Sequence, residues 1–488
     1  ADLFDTEQGF KEALTGVYIK MSEQNLYGRE LTYGFIDILA QRYANPQNQN
    51  ANFDDPTVWY TFPSTRTEGY TKNFWALHYN LIANLNNLLA NIESYGDNIK
   101  TEGYREMIEG EALGLRAFLY LDLLRMFGPI YKDNASSPTL PYRTEFNRDV
   151  VKLSSASAVI DLILDDLKNA EVLLENDPMN ISFPTSYVPT GFMSNRFNRM
   201  NKYAVKAAMA RAYLWKGDKT NAALKAKEVI DAKNNGGGNL FSLITDNMQD
   251  KLGSTELIFA LNMDSETFAE TVENDFYLSM WSYYVLMDLD KLYAIFDTQN
   301  DGMNDMRYKE GAGFTVTSSG AHTLKYSQEG LKSPVLLNTM PLIRLPEMYY
   351  ILAECTDDLE ESAALISTVR EARGIEDVSF ANETEKMNNI EKEYRKEFYA
   401  EGQLWYFYKR LGYETFLYCP VDKMVEANYR FAIPDDETIA YYLQEFLLTN
   451  LNNYDVIQYN QGIGLIDGED TIPIYRKRIY NYILIRKY

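Results

Sequence analysis

Two stretches of the 488-residue chain interleave aromatic rings with amide, carboxylate and guanidinium tips. The first carries Asn52, Phe53, Asp54, Trp59, Tyr60 and Arg66; the second carries Asp275, Phe276, Tyr277, Trp281, Tyr283 and Tyr284. A flat apolar face beside hydrogen-bonding tips suits a sugar ring, whose faces are apolar and whose rim bears hydroxyls. The candidate ligand-binding residues are therefore Trp59, Tyr60, Phe53, Asp54, Arg66, Trp281, Tyr283 and Tyr284. Packing within a loop is the plainer role for any one of these rings. The 38 Tyr and the 14% aromatic content nevertheless exceed what a core requires.

Other chemistry has weaker footing. His78 and His322 stand far apart, and neither has a metal-type neighbour one helical turn away, so both read as structural or solvated. DTQNDGMND (Asp297–Asp305) resembles a calcium loop, but Tyr308 stands where the bidentate Glu belongs, so the stretch reads as a turn. With 70 acidic residues, carboxylate pairs are inevitable and say nothing about glycoside hydrolysis. There is no phosphate loop or dinucleotide fingerprint. The expectation is a chain with no catalytic residue, metal or cofactor. Cys355 and Cys419 read as two free thiols, with a single bridge as the alternative.

A net charge of −23 disfavours phosphate backbones and anionic lipid as partners, and reads most simply as solubility. No apolar run approaches the roughly eighteen residues of a membrane span. No signal peptide is visible at Ala1, which fits either a cytosolic protein or a trimmed secreted one.

The elements that must position the two aromatic stretches are mostly helical. Apolar spacing predicts helices over Leu3–Glu23 (capped at Asp5/Thr6, with a box between Asp5 and Gln8), Arg29–Tyr43, Tyr70–Tyr95, Glu102–Phe127 and Ser154–Glu175. Phe10, Leu14, Val17, Tyr18 and Met21 face inward on the first of these, and Val159, Leu162, Ile163, Leu167 and Leu173 on the last. Arg116 sits among apolar residues, which reads as a buried ion pair fixing helix packing, with Glu111 as a candidate partner and a ligand role as the alternative. Lys202–Ala232 has the Tyr213, Gly217 and Ala222 spacing of a tetratricopeptide unit, and Pro341–Gly374 reads as a second helical hairpin broken near Thr356–Asp358. Glu256–Met263 is a candidate strand, Gly313–Ser327 a β-hairpin, and Asn389–Leu411 the last strong helix. Asn45–Gly69 and Asn176–Asn198 are long irregular connections. The fold class is all-α: a diverged tetratricopeptide-like helical-repeat scaffold with a loop and small β-hairpin overlay. One unit cannot fold alone, so the pairs must stack.

IRLPEMYYILAEC, STVREARGI and IEKEYRKEFYAEGQLWYFYKRLG (Ile390–Gly412) resemble the C-terminal signature of the SusD/RagB family. GEALGLRAFLYLDLLRMFGPIY and YRFAIPDDETI are similar to further segments of it, and the resemblance runs over residues 1–440. It implies a surface nutrient-binding lipoprotein of the outer membrane in Bacteroidota-type bacteria, anchored through a lipidated Cys upstream of Ala1. It implies that the protein binds glycan without catalysis and delivers it to a SusC-like TonB-dependent transporter, with a ligand face built from loops of the two aromatic regions. Peptide capture within the same family, or a helical-repeat scaffold for protein partners, is the alternative. The implied layout is one domain over 1–488: N-terminal repeats 1–232 with loop 45–69, an overlay 233–340, repeat helices 341–412, and a closing segment 413–488 whose part beyond Tyr442 has no family counterpart.

Overall fold

In the computed structural model, helix α1 (Glu7–Met21) buries Phe10, Leu14, Val17, Tyr18 and Met21, as their spacing predicts. The structure describes residues 2–43, 60, 67–147, 149–179, 191–246, 250–278, 286–318, 320–331, 333–435 and 437. The cap of α1 differs from expectation. Asp2–Asp5 forms its own 3-10 turn, which leaves Thr6 as the extended residue whose Oγ1 accepts the Gly9 N–H at 3.2 Å. Gln8 turns forward to Glu12 and makes no box with Asp5.

The helix expected over Arg29–Tyr43 does not form. Only α2 (Phe35–Ile38) is helical there, and the chain from Ser22 onward runs through overlapping turns. A Cβ on Gly28 would lie 2.2 Å from the Ser22 carbonyl oxygen, so the turns close more tightly than a side chain permits. The gain is burial: Leu26, Tyr27, Leu31, Tyr33, Phe35, Ile36 and Leu39 all face inward, whereas one regular helix would turn part of them outward.

Helix α3 (Glu68–Tyr95) and helix α4 (Tyr104–Phe127) follow as expected. Helix α4 is buried on all sides from Gly110 to Phe127 apart from Leu113, and its four charged residues there, Glu111, Arg116, Asp122 and Arg125, are all ion-paired. A Cβ on Gly114 would lie 2.6 Å from Met200 Cγ, so this glycine is what lets the chain approach there. Short helix α5 (Tyr131–Asn134) and the paired strands β1 (Pro138–Leu140) and β2 (Ser154–Ser155) lead into helix α6 (Ala156–Leu173). The buried face of α6 is rotated from the expected one: Leu162 is exposed and Leu173 half-buried, while Ile160 and Leu164 face inward.

Glu111 is not the partner of Arg116. Five residues apart, the two point about 140° apart around the helix. Arg116 instead makes a two-pronged pair with Asp166 of α6 at 2.8 and 2.7 Å and a third bond to Asn86 of α3, tying three helices together. Glu111 accepts from Arg196 and from the Tyr18 hydroxyl.

Helices α7 (Lys202–Lys216) and α8 (Lys219–Ile230) form the tetratricopeptide-like unit. Asn201 Oδ1 accepts the Tyr203 and Ala204 N–H groups at 2.9 Å, and Gly217 closes α7 at φ +87°. Strand β3 (Leu257–Asn262) is almost wholly buried and therefore belongs to the core. Then come α9 (Ser265–Phe268), a π-helical stretch (Ala269–Leu278), α10 (Leu289–Phe296), the hairpin strands β4 (Phe314–Thr317) and β5 (Gly320–Thr323), and β6 (Thr339–Arg344), which pairs antiparallel with β3. The expected hairpin from Pro341 thus begins as strand and becomes helix only at α11 (Leu345–Cys355), followed by α12 (Leu359–Ala372).

The expected last helix is two: α13 (Glu383–Glu397) and α14 (Gln403–Leu411), with α15 (Glu426–Tyr429) closing the described chain. The break has a cause. Ala400 and Gly402 adopt φ +63° and +73°, and both of their N–H groups bond the buried Asp37 carboxylate at 3.1 and 3.0 Å. Helices α3, α4, α6, α7, α8, α11, α12 and α13 pack each against the next, which is the stacked-pair scaffold expected. Both cysteines are free thiols.

Candidate functional site

Of the eight candidate ligand residues, Phe53, Asp54, Trp59, Arg66, Trp281, Tyr283 and Tyr284 lie outside the described residues. Tyr60 is described, and its placement corrects the expectation. It is 1% exposed, its ring packs 5.6 Å from that of Trp405, and its hydroxyl donates to the Leu39 carbonyl while accepting from Gln41 Nε2 at 3.1 Å. A ring enclosed on this scale offers no face to a ligand, so Tyr60 is an anchor. Asp275 and Phe276, drawn from the second aromatic stretch, are likewise buried.

What the structure does bring together is the roots of both stretches. Tyr33 stands between them. Its hydroxyl donates to Asp275 Oδ2 at 2.9 Å, and its ring centroid lies 4.8 Å from that of Phe276. Its backbone carbonyl accepts the Tyr43 hydroxyl at 2.8 Å, at the point where the first stretch begins. Arg29 Nε reaches Asp275 Oδ2 at 3.0 Å. Burial raises the Asp275 carboxyl pKa, opposed by Arg29 and by the Tyr33 hydrogen bond.

Lys291 makes a second link. From α10, just after the second stretch, its Nζ donates to the carbonyls of Gln41 (3.1 Å) and Tyr43 (2.6 Å). The far root of the second stretch is pinned to the hairpin, with Met287 and Ala321 exchanging backbone hydrogen bonds at 2.9 and 2.8 Å. Gly320 permits this contact, since a Cβ there would lie 2.6 Å from the Met287 oxygen. Asn428 Nδ2 donates to the Tyr60 carbonyl at 3.0 Å and holds the first stretch at that residue.

Beneath the roots lies a buried ionic lattice. Arg344, at the end of β6, bonds Glu256, Glu397 and Glu401 at 2.6–3.0 Å. Arg373, at the end of α12, bonds Glu256 and Glu397. Arg307 bonds Asp305, Glu393 and Glu397, and Arg370 bonds Glu393 and Asp301. Lys325, just past β5, donates to Glu401 and to the carbonyls of Glu397 and Tyr399, which couples the hairpin to the lattice. Glu393 is held at a pKa of about 2: burial alone would raise it, but Lys396, Arg307 and Arg370 outweigh burial. Glu397 and Glu401 are lowered for the same kind of reason. Carboxylates fixed in the ionised form are poor proton donors, so this cluster has the chemistry of a scaffold. The Asp301 and Asp305 of the calcium-like stretch are spent on Arg370 and Arg307, and no metal-binding group of side chains occurs among the described residues.

Among the cavities of the described residues, two are flanked by aromatic rings and arginines. One, beside the lattice, measures about 50 Å³, far below the roughly 300–1,000 Å³ of ligand pockets. The other, about 340 Å³, lies between α3 and residues 141–151 and is lined by Trp75, Tyr79, Asn86 and Arg143. Part of its polar lining is already engaged: the Tyr79 hydroxyl donates to Pro141, Asn86 to Arg143, and Arg143 to Asn147. Both histidines are structural in placement. His78 is buried, with Nδ1 at 2.6 Å from the Phe74 carbonyl, and His322 lies half-buried on β5. Sequence reasoning missed Tyr33, Lys291 and the lattice partners, whose pairings span tens to hundreds of residues. The one available signal was the charge density of the C-terminal blocks.

Comparisons with known proteins agree on one family. A family model described as "Starch-binding associating with outer membrane" matches residues 2–214, and the SusD family model matches residues 198–445. SusD-like protein P38 of Formosa agariphila is 24% identical over 424 residues, covering 75% of this chain and 77% of its own length. SusD-like protein P2 of the same organism is 25% identical over 238 residues, and the match spans 47% of this chain and only 40% of P2. A SusD superfamily protein from Bacteroides thetaiotaomicron superposes with a TM-score of 0.66 at 21% identity, over 89% of this chain and 98% of that one. A laminarin-binding SusD-like protein superposes at 0.58 with 19% identity, over 83% and 92%. With the SusD model spanning just over half of the sequence and the stacked helical pairs shared with these structures, the chain belongs to the SusD/RagB family.

Proposed function

We propose that the protein captures glycan at the outer membrane and hands it to a TonB-dependent transporter without chemical change. The observation that carries this reading is the shared frame: Tyr33 and Lys291 root both aromatic–polar stretches on one rigid base. A binding face made of loops needs such a base, because ordering free loops on binding costs affinity. Family membership, the starch-binding description of the N-terminal family model and the laminarin-binding relative support the glycan assignment. The Arg-locked carboxylates of the lattice fit a role without acid–base chemistry. Among the described residues, no helix is long and apolar enough to cross a membrane.

A glycan array with a peptide library alongside tests the reading. Binding of a defined oligosaccharide without turnover is expected, and Trp59→Ala or Trp281→Ala should each weaken it by about 1–3 kcal/mol if the rings stack on sugar as they do on other flat groups. Capture of extended peptides with no glycan bound would replace glycan by peptide as the cargo. Unchanged binding in both tryptophan variants would remove the aromatic stretches from the site.

A further inference from the structure

Tyr418 is a bulky residue in a conformation that favours glycine. It has φ +63° and sits third in a turn closed by the Cys419 N–H and the Phe416 carbonyl at 2.9 Å. The turn is held in place by Phe416, whose ring stacks on Tyr408 at 4.4 Å and 9°. Strained residues persist where their surroundings over-determine them, and they concentrate at binding surfaces. The side chain so presented is 38% exposed, and its hydroxyl has no hydrogen-bond partner among the described residues.

The ring's position is tied to the root frame. Lys291 Nζ, the group that holds the Gln41 and Tyr43 carbonyls, lies 5.1 Å from the Tyr418 centroid. Two exposed carboxylates at the start of α10, Asp288 and Asp290, stand nearby and are felt at the Tyr418 hydroxyl, whose pKa is raised by burial and then by Asp290. Neither carboxylate has a hydrogen bond or ion pair among the described residues, and Asp288 does not cap its own helix. One turn further along α10, Tyr293 is 42% exposed. An open aromatic ring beside unspent hydroxyl acceptors is the chemistry of a sugar subsite. The cations felt here, Lys291 and Arg395, are turned to the Gln41 and Tyr43 carbonyls and to Glu391, so the exposed charge beside the ring is that of Asp288 and Asp290, which on a chain of net charge −23 repels an anionic ligand.

We propose that Tyr418, with Asp288 and Asp290, forms a subsite beside the loop roots that stacks an uncharged sugar unit and excludes uronic or sulfated ones. This rests on the glycan reading above and adds to it a residue outside both aromatic stretches and a class of ligand.

The test is calorimetry or affinity electrophoresis of the full chain. The probes are soluble neutral glucans, mannans and xylans on one side and alginate and polygalacturonate on the other. Binding to a neutral polymer is expected, weakened about ten-fold or more by Tyr418→Ala, the scale of a lost stacking contact. Tyr418→Phe should keep most of the affinity. Asp288→Asn with Asp290→Asn should weaken neutral binding and ease the exclusion of alginate. Melting curves confirm that each variant is folded, and the Phe variant keeps the test valid if the Ala variant is not. If Tyr418→Ala binds as the native chain does while Trp59→Ala does not, the subsite is wrong and the glycan reading stands. Preference for the anionic polymers overturns the ligand class. No binding to any glycan overturns both.

Discussion

The Tyr33 hydroxyl donates to Asp275 Oδ2 at 2.9 Å across 242 residues of sequence, and the Tyr33 carbonyl accepts from Tyr43. One residue therefore grips the near roots of both aromatic stretches. Tyr33→Phe should remove about 1.5–3 kcal/mol, the worth of a hydrogen bond to a charged group, because it leaves Asp275 buried with Arg29 alone. Urea denaturation measures that loss. If the frame sets the binding face, glycan affinity should also fall in the folded variant, although Tyr33 is fully buried and touches no ligand. A stability loss with affinity unchanged would sink the frame argument.

Gly320 offers a second way to move a root. Its φ of +142° and the 2.6 Å approach of the Met287 oxygen to a notional Cβ make Gly320→Ala strained twice over. We expect a cost of about 1–3 kcal/mol, with weakened binding, because the Met287–Ala321 bridge sets where the second stretch ends. Gly236→Ala, on an exposed turn where only the Asn234 side chain comes near, should leave binding intact and serves as the control.

The ionic lattice carries a pH signature. Burial would raise the Glu393 pKa, but Lys396, Arg307 and Arg370 hold it at about 2, and Glu397 and Glu401 are also lowered. A carboxylate with a depressed folded value contributes stability above its unfolded pKa and loses it as pH falls through the folded value. Urea midpoints should therefore drop from about pH 5 toward pH 2. Glu393→Gln should flatten that slope and, by leaving Arg307 and Arg370 short of a partner, cost about 3–5 kcal/mol at neutral pH. An unaltered slope in the variant would show that other carboxylates govern acid unfolding.

The same lattice explains what was legible in the sequence. IRLPE, VREARG and EKEYRKEFYAEG were readable as a family signature, and the structure brings them together: Arg344, Arg373, Glu393, Glu397 and Glu401 are one buried cluster. Helix periodicity located α3 and α8 because each buries a stripe, and α4 and α7 were legible as long runs rich in apolar residues. It failed over 22–43 and 398–402, where long-range bonds to Asp37 and all-round burial override local spacing. Partner choice was also beyond it. The five-residue spacing already sets Glu111 on another face of the helix, but nothing local to Arg116 points to Asp166, which reaches it only once α6 has packed. Tyr60 read as a ligand ring because composition cannot tell an anchor from a platform, and only its enclosure by Trp405, Leu39 and Gln41 separates the two.

Lys409 is a lysine whose burial works against the fold. It is fully buried on α14, and its Nζ donates only to the Met126 carbonyl at 3.0 Å, with no carboxylate in ion-pair range among the described residues. Burial pushes its pKa well below the usual lysine value; Arg430 pushes the same way, Glu426 opposes, and Arg125 adds a smaller push downward. Between the folded and unfolded values the unfolded chain binds more protons, so this residue costs stability at low pH and the cost shrinks as pH rises. Lys409→Met keeps the volume of the stem and removes the charge. It should stabilise the protein by about 1–4 kcal/mol at neutral pH, the range seen when buried ionic groups are replaced by apolar ones of similar size. The gain should narrow steadily toward pH 10, and thermal melts at a series of pH values measure both features. A destabilised variant would mean that the bond to Met126, which ties α14 to the end of α4, outweighs the charge it holds.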